Sequence, residues 1–127
     1  MPENYLYEYA VIRLVPKVER EEFINIGIVL FSKQARFIKM LYRIDENKLR
    51  LFSTELDSDT VQAALRSFEK ICKGEKDGGP IAALEIAERF RWLTAVRSSC
   101  LQTSRPHSGF SPDLDATAEK LFRELVW

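Results

Sequence analysis

The chain has 127 residues, 46% of them hydrophobic and 30% charged, which is typical of one globular domain that buries its core without a metal or a disulfide. Its 19 basic residues balance 19 acidic ones, and this zero net charge argues against a general nucleic-acid-binding protein. Cys72 and Cys100 form no CxxC pair, so we expect no metal site, redox dithiol or cofactor. The sequence shows neither a basic, apolar leader nor a membrane-length apolar run, and we therefore expect a reduced, cytoplasmic protein.

The first part of the chain has the composition of β-strands. Residues 5–15 are rich in Tyr, Val and Ile, and both alternating sets are partly apolar, which predicts a central strand covered on both faces. The next apolar run predicts a strand over 24–32. Alternating apolar and polar residues predict a third strand over 36–44, joined to the second by a hairpin.

The pattern then changes from period two to period 3.6, which indicates amphipathic helices. We expect these helices at three places: 58–73, 81–93 and 113–125. Gly74 caps the first, Pro80 lies in the first turn of the second, and Ser111 caps the third with Pro112 at its first helical position. The residues before Ser111 have an irregular or short-strand composition. Strands followed by helices predict one α+β domain over 1–127, with three or four helices packed on a small antiparallel sheet as a single pair of layers.

Two residues do not fit the second strand. Asn25 and Gly27 lie in a run of Ile, Val, Leu and Phe, although neither favours a strand. Strict alternation places them on one face, opposite four apolar residues: Ile24, Ile26, Ile28 and Leu30. Glycine within a strand marks a bulge or the close approach of another backbone. We expect either a structural bulge with Asn25 bonded to nearby backbone, or a notch that receives a ligand or the segment 89–110.

The segment 89–110 is locally basic. It carries four arginines and His107 but no Asp, Glu or Lys, and arginine suits bidentate capture of carboxylate or phosphate. With the notch it gives the candidate ligand-binding residues: Asn25, Gly27, Arg89, Arg97, Ser98, Arg105 and His107. We expect Asn25 and Gly27 to lie near Arg97 as one site or one structural clasp. The alternative is that the arginines pair with acidic residues: Glu19, Glu21, Glu22 and those of the last helix.

Neither catalysis nor a metal site is predicted, because a lone histidine without a carboxylate partner is not a triad or a metal centre. Nothing supplies the paired carboxylates of a metal nuclease. Aromatic residues near both ends favour a homodimer: Tyr5, Tyr7, Phe122 and Trp127. The zero net charge removes a general repulsion between copies.

Several motifs resemble one bacterial family, the domain of unknown function 3037, over nearly the whole chain. They are E-R-x-E-F-x-N-x-G at residues 19–27, R-F-x-W-L-T-A at 89–95, Arg97-Ser98, Leu101-Gln102, and His107 with Gly109. Val96 departs from the proline common at that position. The resemblance implies that family members are encoded beside a HipA-like kinase. We therefore expect a non-catalytic interaction or regulatory partner, with a small binding domain for a phosphate- or carboxylate-bearing ligand as the alternative.

Overall fold

A computed structural model describes residues 4–16, 22–48, 58–95 and 100–127 of the protein. Within these ranges the chain forms an antiparallel sheet of five strands: β1 Tyr5–Leu14, β2 Ile24–Ser32, β3 Phe37–Tyr42, β4 Leu101–Thr103 and β5 His107–Ser111. Three α-helices pack on it: α1 Ser58–Lys73, α2 Ile86–Leu93 and α3 Leu114–Leu125. Residues 46–48 are also helical, and two 3-10 turns precede α2: Lys76–Gly78 and Ile81–Ala83. These elements confirm the predicted α+β fold.

β1 is the central strand and holds the sheet together. One of its edges pairs with β2, which in turn pairs with β3. Its other edge is shared, because β5 pairs with the first half of β1 and β4 with the second half. Between them, Ser104 continues the ladder: its N–H donates to the Val11 carbonyl at 2.8 Å, and its Oγ accepts from the Val11 N–H at 2.9 Å. The residues before Ser111, which the composition predicts to be irregular or short strands, thus form β4 and β5 and complete the sheet.

Helices cover both faces of the sheet, as the two-sided apolar pattern of β1 predicts. Ala10, Ile12 and Leu14 belong to the core beneath α1 and α2. The tyrosines of β1 alternate with that set and pack with Ile28, Leu30 and the apolar stripe of α3. The structure therefore has three layers instead of the expected single pair, because α3 crosses to the opposite face.

The segment 81–93 is not one continuous helix, so the predicted second helix is wrong in its first turn. Ile81–Ala83 forms a 3-10 turn, and Leu84 and Glu85 are extended, with ψ angles of 166° and 153°. The turn brings buried Ala82 against Gly78, where a Cβ would lie 2.7 Å from the Ala82 Cβ. The burial of Ala82 in the core with α1 is a tertiary contact that local propensity does not encode.

The cap of α3 also differs from the expectation. Asp113 is the N-cap residue, and its Oδ1 accepts from the Ala116 N–H at 3.1 Å. Ser111 is the last residue of β5; its Oγ accepts from the Asp113 N–H at 3.0 Å and contacts the Thr117 hydroxyl. The cap therefore lies two residues later than predicted, since Ser111 is committed to the sheet. Within the part of the chain that the structure describes, no helix is long and apolar enough to cross a membrane.

Candidate functional site at one end of the sheet

The irregularity in β2 is a β-bulge, which confirms the bulge interpretation of Asn25 and Gly27. Gly27 lies opposite Ile12 of β1, whereas Asn25 lies opposite the very next residue, Arg13. Ile26 is therefore the extra residue on β2. A bulge of this kind shifts the alternation of side chains by one residue.

Because of that shift, the predicted common face of four apolar residues is wrong. Ile24 and Ile26 pack into the core beneath α1 and α2, whereas Ile28 and Leu30 pack against α3 on the other side. The bulge lets β2 contribute to both cores. No pattern of strict alternation could have shown this, since the extra residue changes the phase.

Gly27 permits a close approach of another backbone, but the approaching element is β3. A Cβ at this position would lie 2.5 Å from the Leu41 carbonyl oxygen and 2.9 Å from the Tyr42 Cβ. Among the described residues, the nearest atoms on this side of Gly27 belong to Leu41 and Tyr42 and not to the segment 89–110. The glycine is thus required for the pairing of β2 with β3.

Asn25 makes one hydrogen bond and leaves another unmade. Its Nδ2 donates to the Leu125 carbonyl at 3.1 Å, at the end of α3, where helix carbonyls lack intrahelical partners. Its Oδ1 is buried and has no hydrogen-bond partner. Unpaired buried acceptors are rare in folded proteins and point to strain or to a missing partner group.

Asn25 lines a cavity of about 190 Å³ at the end of the sheet where β1 stops and β2 begins. The floor is apolar, and three charged side chains line the walls: Arg43, Asp45 and Lys48. Asp45 shapes the turn itself, because its Oδ1 accepts from the N–H groups of Asn47 and Lys48 at 3.0 and 3.3 Å. The lining charge is therefore net positive, with one carboxylate held by its own turn.

Two arginines stack on exposed aromatic rings beside this cavity. The Arg43 guanidinium lies 4.3 Å from the ring centroid of Trp127, which is 69% exposed. On the other side of Asn25, the guanidinium of its cross-strand neighbour Arg13 lies 4.1 Å from the ring of Phe23, which is 43% exposed. We call Asn25, the charged cavity walls and these two pairs the sheet-end site.

The predicted arginine cluster does not form among the residues that the structure describes. Arg89 is half-buried on α2, and its Nη1 donates to the carbonyls of Ile71 and Cys72 at 3.2 and 3.1 Å, which caps the end of α1. Arg89 therefore has a structural position, with backbone oxygens instead of the predicted carboxylates as its partners. Gly74, with a φ of 68°, ends α1 there as predicted, and a Cβ on it would collide with the Arg89 guanidinium.

The remaining predicted residues lie elsewhere. Arg105 is exposed between β4 and β5, and His107 is exposed on β5 with its ring centroid 5.5 Å from that of Tyr9, on the face of the sheet opposite α1 and α2. Arg97 and Ser98 lie outside the described residues, so the expected proximity of Arg97 to Asn25 and Gly27 stays a prediction.

The sheet-end site was found only in part from the sequence. Asn25 stands out as a polar residue in an apolar run, but no motif in the sequence singles out Arg13 or Arg43. One signal was present in the letters D-E-N-K at 45–48, since Asp and Asn favour turns in which a side chain accepts backbone N–H groups. Within the described ranges, no group of three His, Cys, Asp or Glu residues could hold a metal ion.

Comparison with known proteins identifies a family but no activity. Neither the search of curated proteins nor that of solved structures found a significant match. The family model described as "Protein of unknown function (DUF3037)" matches residues 9–126. The match covers every strand and helix described above except the first residues of β1. The chain therefore belongs to the DUF3037 family.

Proposed function

We propose that the protein is a non-catalytic binding module that docks a segment of a partner polypeptide at the sheet-end site. The observation that carries this proposal is Asn25, whose buried Oδ1 has no donor among the described residues, in the lining of a cavity that the Arg43–Trp127 pair also lines. An unpaired buried acceptor costs free energy in the isolated protein, and a donor brought by a partner removes that cost.

The chemistry of the lining defines what the partner presents. A backbone or side-chain N–H supplies the donor for Asn25, and a carboxylate suits the two cations, Arg43 and Lys48, which outnumber the single carboxylate of Asp45. An acidic residue in an extended segment offers both groups within one residue. The apolar floor accommodates the aliphatic part of such a side chain.

The size of the cavity favours a polypeptide segment over a larger free ligand. At about 190 Å³ the cavity is smaller than the roughly 300–1,000 Å³ of typical small-molecule sites. Trp127 lines the cavity and Phe23 lies two residues before Asn25 in the chain, and each ring is stacked with an arginine. Aromatic residues and arginine are enriched in protein interfaces and among the residues that dominate their binding energy.

The family resemblance suggests the identity of the partner. A HipA-like kinase encoded beside such proteins is the first candidate, and the module would then regulate or position that kinase in the bacterial cytoplasm. This assignment rests on the association seen for the family, whereas the docking chemistry rests on Asn25, Arg43 and the exposed rings.

Co-purification tests the proposal. We expect the tagged chain, co-expressed with the kinase, to retain it, and Arg43→Gln and Trp127→Ser to lose it while keeping a wild-type circular dichroism spectrum. Arg91→Gln is the matched control, because Arg91 is exposed on α2 and does not line the cavity. Failure of the wild-type chain to retain the kinase, or equal retention by all variants, would contradict the proposal.

A free anionic ligand is the second candidate, favoured by the net positive charge of the cavity wall. Thermal unfolding in acetate, glutamate, inorganic phosphate or a nucleotide separates the two candidates, because a ligand that binds the native state raises the melting temperature. A rise that Arg43→Gln abolishes supports the free ligand. No rise with any probe, together with kinase retention, supports the polypeptide.

A further inference from the structure

The outer edge of β5 has no strand partner among the described residues. β5 pairs with β1 on one side, and no described strand lies on its other side. The side chains of His107, Ser108 and Phe110 are exposed, and Phe110 is 70% exposed. A strand edge of this kind presents unpaired N–H and C=O groups to any strand that can lie beside it.

The two edges of the sheet differ in how they are protected. On the β3 edge, Lys39 sits in the middle of the strand and pairs with Asp115 at 2.8 Å. Charged side chains, lysine above all, are a common means of preventing edge-to-edge association. β5 has no Lys, Arg, Asp or Glu and no proline within its five residues, although Pro106 and Pro112 border it. These prolines limit any added pairing to residues 107–111.

An exposed apolar pair lies along the β5 edge. Phe110 is the cross-strand neighbour of Leu6, and Leu6 is 46% exposed. Large apolar side chains that lie next to each other and remain in water mark an interaction surface more than a single exposed residue does. A partner strand beside β5 would cover Phe110 and leave the rest of the sheet unchanged.

We propose that this edge pairs with the same edge of a second copy of the chain, as an antiparallel β5–β5 ladder centred on Gly109. In this register the numbers of any two paired residues add up to the same even number. Residues whose N–H and C=O groups face outward in one copy are therefore paired with outward-facing residues of the other copy, and the ladder closes around a two-fold axis. Phe110 then lies opposite Ser108 of the second copy and diagonal to its Phe110. Diagonal side chains of this kind are within reach of aromatic rings.

Charge complementarity favours a second copy as the occupant. The antiparallel arrangement brings the end of β5 next to Arg105 close to the end next to Asp113 of the other copy, and the two-fold axis repeats this proximity. Both residues are exposed, and each lies just outside a bordering proline. The overall balance of 19 basic and 19 acidic residues adds no general repulsion between copies.

The dimer would keep the sheet-end site free. β5 pairs with the first half of β1, where Tyr7 is opposite Gly109, whereas Leu14 at the other end of β1 lines the cavity. Seven residues of strand separate the two places by about 23 Å. The dimer therefore presents two sheet-end sites at its far ends and would bind a dimeric partner with avidity. This inference does not depend on the proposed function.

Light scattering and sedimentation of the purified chain over a wide concentration range test the dimer. We expect a concentration-dependent dimer for the wild type and a monomer for Phe110→Ser and Arg105→Glu. Trp127→Ser is the control, since Trp127 is 69% exposed, close to the 70% of Phe110, and lies in the sheet-end site. Asp113→Asn keeps the helix cap but removes the charge, and should weaken self-association by about fivefold.

A wild-type monomer at every concentration would overturn the inference, and so would a dimer that Phe110→Ser leaves intact while its circular dichroism is unchanged. The two proposals fail separately. Loss of the dimer without loss of the kinase points to β5, and loss of the kinase without loss of the dimer points to the sheet-end site.

Discussion

Asn25 in β2 donates a hydrogen bond to the carbonyl of Leu125, a residue 100 positions further along the chain, at 3.1 Å. This bond ties the bulge to the end of the last helix. The Oδ1 of the same amide has no donor within the part of the chain that the structure describes. The amide is therefore held in place by its Nδ2, while its Oδ1 is left for another hydrogen bond. This arrangement is expected of a residue that both anchors a helix and offers a binding group.

This arrangement predicts a small stability effect for Asn25→Ala. The lost bond to Leu125 costs about 1 kcal/mol, but the substitution also removes a buried acceptor that has no partner, and the two effects offset each other. Ser104→Ala is the comparison, because the Ser104 Oγ is paired on both sides, to the Val11 N–H and the Arg105 carbonyl. We expect Ser104→Ala to lower the free energy of unfolding in urea by about 1–3 kcal/mol and Asn25→Ala by less. Equal losses would contradict the unpaired state of Asn25.

Gly27→Ala should destabilise the protein through the pairing of β2 with β3. The added Cβ would meet the Leu41 carbonyl and the Tyr42 Cβ, which belong to the neighbouring strand and cannot simply rotate away. We expect a loss of about 1–3 kcal/mol in urea unfolding, the usual range for an overpacked site. Unchanged stability would mean that β3 lies further from the bulge than the structure places it.

Arg89→Gln tests whether the half-buried arginine is structural. Its Nη1 donates to two carbonyls at the end of α1, and hydrogen bonds from charged donors contribute about 1.5–3 kcal/mol. We expect a loss of that size in the free energy of unfolding. Arg91→Gln, at an exposed position on the same helix, should leave stability within about 0.5 kcal/mol of the wild type. A stable Arg89→Gln protein would reopen a ligand-binding role for this residue.

Cys72 should make stability depend on pH in the alkaline range. Burial raises the pKa of its thiol from 9.0 to about 12, and the Arg89 charge acts in the opposite direction. The unfolded thiol ionises near its ordinary pKa, whereas the native thiol stays protonated, so stability is fully present below pH 9 and falls as pH rises toward the folded pKa. The slope attributable to this group approaches about 1.4 kcal/mol per pH unit.

Urea unfolding of the wild type and of Cys72→Ala between pH 8.5 and 11 measures this slope. The substitution removes only the contribution of this thiol, because Tyr7, whose pKa burial also raises, is present in both proteins. We expect the flatter dependence for Cys72→Ala. Parallel curves would show that the Cys72 thiol reaches solvent in the native protein.

Local patterns in the sequence determined most of the secondary structure. The strand over 24–32 and the helix over 58–73 occur within the predicted bounds, because each is a strongly periodic apolar segment with clear signals at its ends. The sequence also indicated an irregularity at Asn25 and Gly27, because two residues that disfavour strands interrupt an apolar strand. The hydrophobic period and the residues that end a helix or strand are properties of residues close together in the chain, and the sequence shows these directly.

Tertiary structure alone decided which faces and which residues come together. The extra residue Ile26 reverses the faces of β2, the burial of Ala82 in the core accompanies the break in the second helix, and the Leu125 carbonyl accepts a hydrogen bond from Asn25. The sheet-end site joins the start of β2, the turn after β3 and Trp127, although the start of β2 and Trp127 are more than a hundred residues apart in the chain. Its chemistry depends on side chains whose spacing along the chain carries no period, so only the packed chain brings a buried acceptor, two cations and exposed rings to one place.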